Sequence, residues 1–113
     1  MKKSRKKNSS LGSLDLLVLR VLNCGDKHGY GIARNIELLS SEVLSVKKGS
    51  LYPALHRLEN EGFIKSKWEL GDAKQSMKIY SLTSAGQKQM EEEIHNWELT
   101  SGAINRVIAK TSQ

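Results

Sequence analysis

The chain has 113 residues, of which 38% are hydrophobic and 27% are charged, and its formal net charge is +6. This length accommodates one small domain, and the 5% aromatic content with a single proline argues against a multi-strand β sandwich. No run of 18 apolar residues is present and no apolar stretch follows the basic N-terminus, so neither a membrane span nor a secretory signal is expected. A single cysteine, Cys24, cannot form an internal disulfide, which predicts a cytoplasmic location.

The positive charge is distributed unevenly. Five basic residues fall among the first seven, the segment from Lys27 to Lys88 is also basic, and the segment from Gln89 onward is acidic. A polyanionic partner is therefore expected to meet the front of the molecule. Residues 1–10 show no hydrophobic periodicity and are predicted to form a disordered basic arm.

A first helix is predicted after Ser13, its expected N-cap, and it is apolar on almost every side except at Asp15 and Arg20. Such a helix must be covered on most sides, and complete cover is expected to need a second subunit. A glycine-rich turn follows, and a second helix is predicted from Tyr30 or Ile32 to Ser40. Its buried residues are expected to be Ile32, Ala33, Ile36 and Leu39.

A third helix is predicted to follow Gly49, because Leu51, Ala54, Leu55 and Leu58 recur at spacings of three and four. Its first turn is expected to contain Pro53, and Gly62 is expected to end it. Residues 63–70 and 77–82 alternate as strands around a turn at residues 71–73, which predicts a β-hairpin wing. This order of elements is typical of a winged helix-turn-helix, in which such a helix commonly enters the DNA major groove.

A last helix is predicted to begin after Thr83, and apolar residues recur along it with a period of 3.5. A bend or pause is expected at Ser101-Gly102. The helix either packs back on its own core or forms a dimer seam with the first helix; the seam is favoured because both helices carry more apolar surface than one subunit covers. The predicted dimer-interface residues are Leu14, Leu17, Val18, Val21, Met90, Ile94, Trp97, Ile104 and Ile108.

Catalytic and metal chemistry finds no support in the sequence. His28, His56 and His95 lie far apart, and no cysteine, histidine or carboxylate pair has metal-ligand spacing. The Gly29-Tyr-Gly31 turn is too short for a dinucleotide-binding or phosphate-binding loop, and no nucleophile elbow is present. We therefore expect no enzyme activity, no metal and no cofactor.

Several motifs together resemble the PadR-like transcriptional regulators, and the match runs in order from about residue 11 to residue 86. They are Leu-Asp-Leu-Leu-Val-Leu near the start, His28-Gly-Tyr-Gly-Ile-Ala33, Gly49-Ser-Leu-Tyr-Pro-Ala-Leu-His-Arg-Leu-Glu59, Glu61-Gly-Phe-Ile64 and Tyr80-Ser-Leu-Thr-Ser-Ala-Gly86. The short remainder after Gly86 resembles the compact branch of that family.

The resemblance implies a winged-helix homodimer that binds a palindromic operator and usually represses transcription. It also implies that Tyr30 faces DNA and that Ser50 and Tyr52 belong to the recognition motif. The wing departs from the family pattern, because only Lys74 and Lys78 remain there as cations and Ile79 replaces an aromatic residue. Contact between the wing and DNA is therefore less firmly implied than contact by the third helix.

The predicted fold is mainly α with a small β-hairpin (α+β). Residues 11–86 form the winged helix-turn-helix and residues 87–113 the C-terminal dimerisation helix. Phosphate contacts are predicted for Lys27, His28, Tyr30, Lys48, Lys74 and Lys78, with Lys47 adding charge nearby. Base contacts are predicted for Ser50, Tyr52 and His56, together with Arg57 unless it pairs with Glu61.

The predicted function is that of a homodimeric repressor bound to a double-stranded DNA operator. A winged-helix module that binds a protein partner through the same face is the alternative. Trp68, Trp97 and the dimer interface are also candidates to line a pocket for a small-molecule effector, although aromatic residues at such positions are more often part of a core. The sequence names no effector.

Overall fold

The computed structural model describes residues 9–71 and 75–112, with side chains from Ser13 onward. Within these ranges it contains four helices and one three-stranded antiparallel sheet, which confirms the predicted winged helix-turn-helix fold. No helix among the described residues is long and apolar enough to cross a membrane. The elements in chain order are α1 (Ser9–Asn23), β1 (Lys27–His28), α2 (Gly29–Leu39), α3 (Lys48–Asn60), β2 (Ile64–Leu70), β3 (Ser76–Leu82) and α4 (Ser84–Thr111).

The core forms where α1 packs between α2, α3, α4 and the sheet. The predicted apolar stripe of α3 is fully buried there, beside Leu19 of α1 and Ile32 of α2. The prediction that Leu39 is buried was wrong, because this side chain is 73% exposed. α2 ends at Leu39, and its last buried residue is Ile36, one turn earlier.

α1 begins at Ser9, earlier than the predicted N-cap at Ser13. Leu11 lies three residues before Leu14 and so extends the helical apolar spacing toward the N-terminus. Residues 9 and 10, which we assigned to the basic arm, are therefore helical. Residues 1–8 of that arm lie outside the described part of the chain.

The sheet contains a strand that the sequence did not indicate. β1 pairs with β3 through Lys27 opposite Tyr80 and His28 opposite Ile79, giving the strand order β1-β3-β2. The predicted hairpin of β2 and β3 is confirmed, with Ile64 opposite Leu82 at its base. The two residues of β1 are too few to show an alternating pattern, and they lie in the predicted glycine-rich turn between the first and second helices.

The position of Pro53 also differs from the prediction. α3 begins at Lys48, so Pro53 lies in its second turn rather than its first. Proline has no amide hydrogen, and the usual helical bond to the carbonyl of Gly49 cannot form. α3 ends as predicted, since Gly62 adopts a positive φ of 81° immediately after the C-cap residue Glu61.

α4 is one continuous helix from Ser84 to Thr111, without the expected pause at Ser101-Gly102. Thr83 is its N-cap as predicted, because its hydroxyl oxygen accepts a 3.0 Å bond from the Gly86 N–H. The same hydroxyl donates to the carbonyl of Gly62 over 2.7 Å, which fastens the start of α4 to the end of α3.

Three residues predicted at the dimer interface lie in the core of the single chain. Val18 is 0% exposed, Val21 5% and Met90 2%, because α1 and the first turns of α4 pack on each other. Their apolar surface is already covered, so they have none to offer a second subunit. The dimer-interface prediction is therefore corrected at these three positions.

We predict that Gly86→Ala destabilises the fold. A Cβ at this position would overlap the carbonyl of Phe63 and would lie 2.8 Å from a methyl carbon of Leu82. The expected loss in free energy of unfolding is about 2 kcal/mol, measured by urea denaturation. Gly49→Ala is the control, since nothing lies within 4 Å of its Cβ position. That variant is expected to be unchanged or up to about 1 kcal/mol more stable; equal losses would contradict the close packing at Gly86.

Candidate nucleic-acid interface

One side of α3 is exposed along its whole length. With about 100° of rotation per residue, Gly49, Pro53, His56 and Asn60 line up opposite the buried leucine stripe. All four are exposed, and we refer to them as the outward ridge. Its first two members are small, so another molecule can approach the helix backbone closely there. Of these four, only His56 was a predicted site residue, although Asn60 also carries a side chain that hydrogen-bonds to base edges.

The N-terminus of α3 is strongly positive. Its N-cap residue is Lys47, whose side chain makes no capping bond, and Lys48 follows as the first helical residue. No acidic residue is present in the first turn. Because a helix N-terminus already carries partial positive charge, two lysines there are electrostatically unfavourable unless an anion is bound. This end of α3 therefore attracts anions.

Tyr30, Lys48 and Tyr52, all predicted site residues, line one groove between α2 and α3. The groove has a volume of about 440 Å³, and Tyr30 at its edge is 69% exposed. Tyr52 is 43% exposed, and its ring lies against the backbone of Gly29, where an added Cβ would fall 2.5 Å from the phenolic oxygen. The Tyr52 hydroxyl is thus held beside the N-terminus of α2.

The start of α2 is fixed by His28, which is its N-cap. The imidazole Nδ1 accepts a 3.1 Å bond from the N–H of Gly31, and the ring stacks on Tyr30 with the centroids 6.3 Å apart. Since Nδ1 is the acceptor in this cap, Nε2 is the remaining nitrogen for an external partner. Pairing of β1 with β3 holds Lys27 and His28 beside the wing.

Polar contacts fix the segment between α2 and α3. Arg34 lies 3.2 Å from Glu37 and 3.3 Å from Glu42, and its hydrogen bond to Glu37 is the main cause of its raised pKa. The Val46 N–H donates to Glu37 over 3.0 Å and lowers the pKa of that carboxyl. Arg34 lines the groove but is engaged in these contacts, so the groove takes its available charge from Lys48.

On the wing, Lys78 is held against α3. Its Nζ lies 3.9 Å from Glu59 and within 6 Å of the ring centroids of Trp68 and Tyr80, at 5.7 Å and 5.9 Å. The Ser66 hydroxyl also donates a 2.6 Å hydrogen bond to Glu59. Tyr80 is buried beneath Lys78, and this burial raises the pKa of its hydroxyl. Lys78 therefore joins the wing to α3, while Lys74 lies outside the described residues.

Arg57 does not line the groove and is bound to α1. Its guanidinium donates to the carboxylate of Asp15 in α1, and this hydrogen bond raises the pKa of Arg57. The Glu61 pairing considered from the sequence is present only as a weaker electrostatic interaction. Ser50, on the same flank of α3 two turns earlier, is exposed.

The C-terminal part of α4 extends beyond the core and carries a row of exposed apolar side chains. Beyond Ile94, which is half-buried, the helix continues for about 25 Å. Trp97, Ile104 and Ile108, which we call the α4 stripe, are 52%, 52% and 59% exposed. Leu14 and Leu17 of α1 are only partly covered by the core. These five positions and Ile94 are the predicted interface residues that retain free apolar surface.

The part of the chain that the structure describes contains no group of three histidine, cysteine or acidic residues placed to hold a metal ion. Its polar features are instead lysines, hydroxyls and an imidazole around the N-termini of two helices. Such groups contact phosphates and base edges, as helix-turn-helix proteins do.

Comparison with known proteins agrees with this geometry. Residues 18–92 match the family model described as "Transcriptional regulator PadR-like family". Over 84 residues the chain is 31% identical to the negative transcriptional regulator PadR of Bacillus subtilis (strain 168), covering 74% of this chain and 44% of that protein. It is 33% identical over 81 residues to the transcriptional regulator YqjI of Escherichia coli (strain K12), covering 72% of this chain and 37% of YqjI.

The chain therefore spans less than half of the length of these two curated relatives. Among solved structures, a transcriptional regulator from Clostridium thermocellum is similar with a TM-score of 0.80 and 34% identity, covering 88% of this chain and 97% of that one. The matching proteins with assigned roles are regulators of transcription and not enzymes. By the extent of these matches, the chain belongs to the PadR-like family of transcriptional regulators.

Proposed function

We propose that this chain is a repressor that binds a palindromic operator as a homodimer, with α3 as the recognition helix in the major groove. The observation that carries the proposal is the uncapped N-terminus of α3, where Lys47 and Lys48 concentrate positive charge beside an exposed helix face. A DNA phosphate supplies the anion that this helix end otherwise lacks. The negative regulation named for the Bacillus subtilis relative supports repression as the direction of control.

The contacts divide according to position around the two helices. Lys27, His28 and Tyr30 lie at the start of α2, which in helix-turn-helix complexes crosses the phosphate backbone. Base contacts are assigned to Ser50, which is exposed in the first turn of the proposed recognition helix α3, and to His56 on the outward ridge. Asn60 extends the outward ridge and is added to this group.

For Tyr52 the structure favours a phosphate contact over the base contact expected from the sequence. Its ring rests on Gly29 and shares the groove with Tyr30 and Lys48. Its hydroxyl therefore lies among the groups assigned to phosphates. Contacts of this kind position the protein on DNA without distinguishing sequences.

A homodimer is supported by the α4 stripe, because large apolar side chains in a row on a projecting helix are typical of an interaction surface. Pairing of two such helices, with Leu14 and Leu17 at the base, would present two α3 helices to one face of the duplex. A two-fold dimer of this kind requires an operator with matching symmetry. In this proposal, residues 11–86 form the DNA-binding domain and residues 87–113 form the dimerisation helix.

The alternative of a protein-binding winged helix is less well supported. A protein partner gives no reason for two lysines at an uncapped helix N-terminus, whereas a phosphate does.

Binding to DNA also implies a cytoplasmic location. A small-molecule effector stays a prediction from sequence; Trp68 is 66% exposed and Trp97 is 52% exposed, so neither belongs to the core of the single chain.

The first test measures DNA affinity as a function of salt. The DNA is the region upstream of the gene, with the operator located by protection mapping. Each phosphate contact contributes about −0.9 to the slope of log affinity against log salt. Lys48→Ala is expected to make the slope shallower by about that amount, whereas Lys88→Ala, an exposed lysine of α4, leaves it unchanged. An unchanged slope in Lys48→Ala would remove this phosphate contact, and no binding by the unmodified protein would favour the protein-interaction module.

The second test compares the operator with random DNA of the same length. A base contact is worth about 1–3 kcal/mol of discrimination, so His56→Ala is expected to lower the ratio of the two affinities about tenfold. Tyr52→Ala is expected to weaken binding to both DNAs equally. Titrations monitored by fluorescence anisotropy give both ratios. An unaltered ratio in His56→Ala would exclude base reading by the outward ridge at this position.

The third test concerns the dimer. Ile104→Glu places a charge in the α4 stripe, and burying an unpaired carboxylate is expected to weaken self-association by about 3 kcal/mol or more. Leu99→Glu is the matched control, because Leu99 is 60% exposed but lies on the opposite side of α4. Sedimentation equilibrium measures the dissociation constants. Equal effects of the two substitutions would show that the α4 stripe is not the interface.

A further inference from the structure

Charged contacts hold the C-terminal half of α3 on both of its flanks. On one flank, the Glu59 carboxylate accepts a 2.6 Å hydrogen bond from the Ser66 hydroxyl and lies 3.9 Å from the Lys78 ammonium. Ser66 and Lys78 both belong to the wing. On the other flank, Arg57 forms an ion pair and hydrogen bond with Asp15, a residue 42 positions away in α1. The contacts of Glu59 connect α3 to the wing, whereas the ion pair of Arg57 connects α3 to α1, the helix that carries Leu14 and Leu17.

We propose that Arg57 is a positioning residue rather than a DNA contact, and that its ion pair with Asp15 sets the orientation of the recognition helix relative to the dimer contact. The assignment rests on the proposed function, in which α3 reads bases and α1 lies beside the two-fold axis. It concerns specificity for the operator, because a misaligned helix still attracts phosphates but no longer meets the correct base edges.

The charges around Arg57 support this role. Its guanidinium is bound to Asp15 and also experiences the negative charges of Glu61 and Glu93, on the turn after α3 and on α4. A DNA phosphate approaching Arg57 would be a further anion among these carboxylates. Lys47 and Lys48, by contrast, take part in no ion pair among the described residues.

Arg57 also lies outside the groove that Lys48 and Tyr52 line. Arg57 is about 140° around the helix axis from Tyr52, which borders the groove. The Asp15 side chain is only 17% exposed and the Arg57 side chain 48%, so the contact is partly shielded from solvent.

Asp15 is placed to transmit orientation. It is flanked in α1 by Leu14, and Leu17 follows within one turn; both keep free apolar surface in the proposed dimer contact. A fixed link between α1 and α3 therefore fixes the relation between the two-fold axis and each half-site. A palindromic operator with defined half-site spacing requires such a relation.

The test uses the full chain and the variants Asp15→Asn, Arg57→Ala and their combination, with titration against operator and random DNA. Each single variant is expected to weaken operator binding about three- to tenfold, as expected for a partly exposed ion pair, and to leave random-DNA binding unchanged. The double variant is expected to lose no more than one single variant, because both substitutions break the same contact. Arg57→Lys, which retains the charge, is expected to recover part of the loss.

Two controls match the changes in charge. Arg20→Ala removes an exposed cation from α1, and Glu91→Gln removes an exposed carboxylate from α4. Neither is expected to alter the ratio of operator to random-DNA affinity. Urea denaturation of every variant checks that the titrations are made on folded protein.

The outcomes separate the possible roles of Arg57. A salt slope that becomes shallower by about 0.9 in Arg57→Ala would identify a phosphate contact and overturn the proposal. Tighter operator binding by Asp15→Asn would also overturn it, since the carboxylate would then be withholding Arg57 from DNA. An unchanged affinity ratio in both variants would remove any positioning role. Absence of operator preference in the unmodified protein would instead reject the proposed function, and this assignment with it.

Discussion

Burial of the leucine stripe decides which way α3 faces, and the arrangement of the candidate site depends on it. Leu51, Leu55 and Leu58 are each at most 2% exposed, and burying such a side chain is worth about 1.5–3 kcal/mol. Rotating α3 about its axis would withdraw these residues from the core. Apolar packing consequently fixes the outward ridge on the opposite side, and the polar contacts of Arg57 and Glu59 add to it. A stable core thus presents a polar surface without requiring that surface to contribute to folding.

Residues in the N-terminal half of α3 make this helix less stable than it would otherwise be. Lys47 and Lys48 stand where an acidic or hydroxyl residue would stabilise α3, and Pro53 removes one of its internal hydrogen bonds. These choices weaken the helix in isolation but leave an exposed positive terminus and a close-approach surface. The core compensates through α1, which covers the stripe from the other side. Stability and recognition are therefore supplied by opposite faces of one thirteen-residue helix.

Much of the fold was predictable because it follows from local patterns. The spacing of the leucines identified α3, Gly62 its end and Thr83 the start of α4, and each of these signals acts within a few residues. β1 was not predicted from the sequence, because its strand conformation depends on pairing with β3, some fifty residues later in the chain. The burial of Met90 was likewise decided by packing of α4 on α1 and not by the period of its own helix.

The candidate site was less predictable for the same reason. Residue type and helix position selected Tyr30, Lys48 and Tyr52 as site residues, and the structure shows that all three line one groove, which the sequence did not predict. Residue type alone could not show that Lys78 and Arg57 are engaged elsewhere, because their partners Glu59 and Asp15 lie 19 and 42 positions away. In the proposed function, the charge offered to DNA is therefore that of Lys47 and Lys48, which take part in no ion pair among the described residues, whereas Arg57 and Glu59 connect α3 to α1 and to the wing.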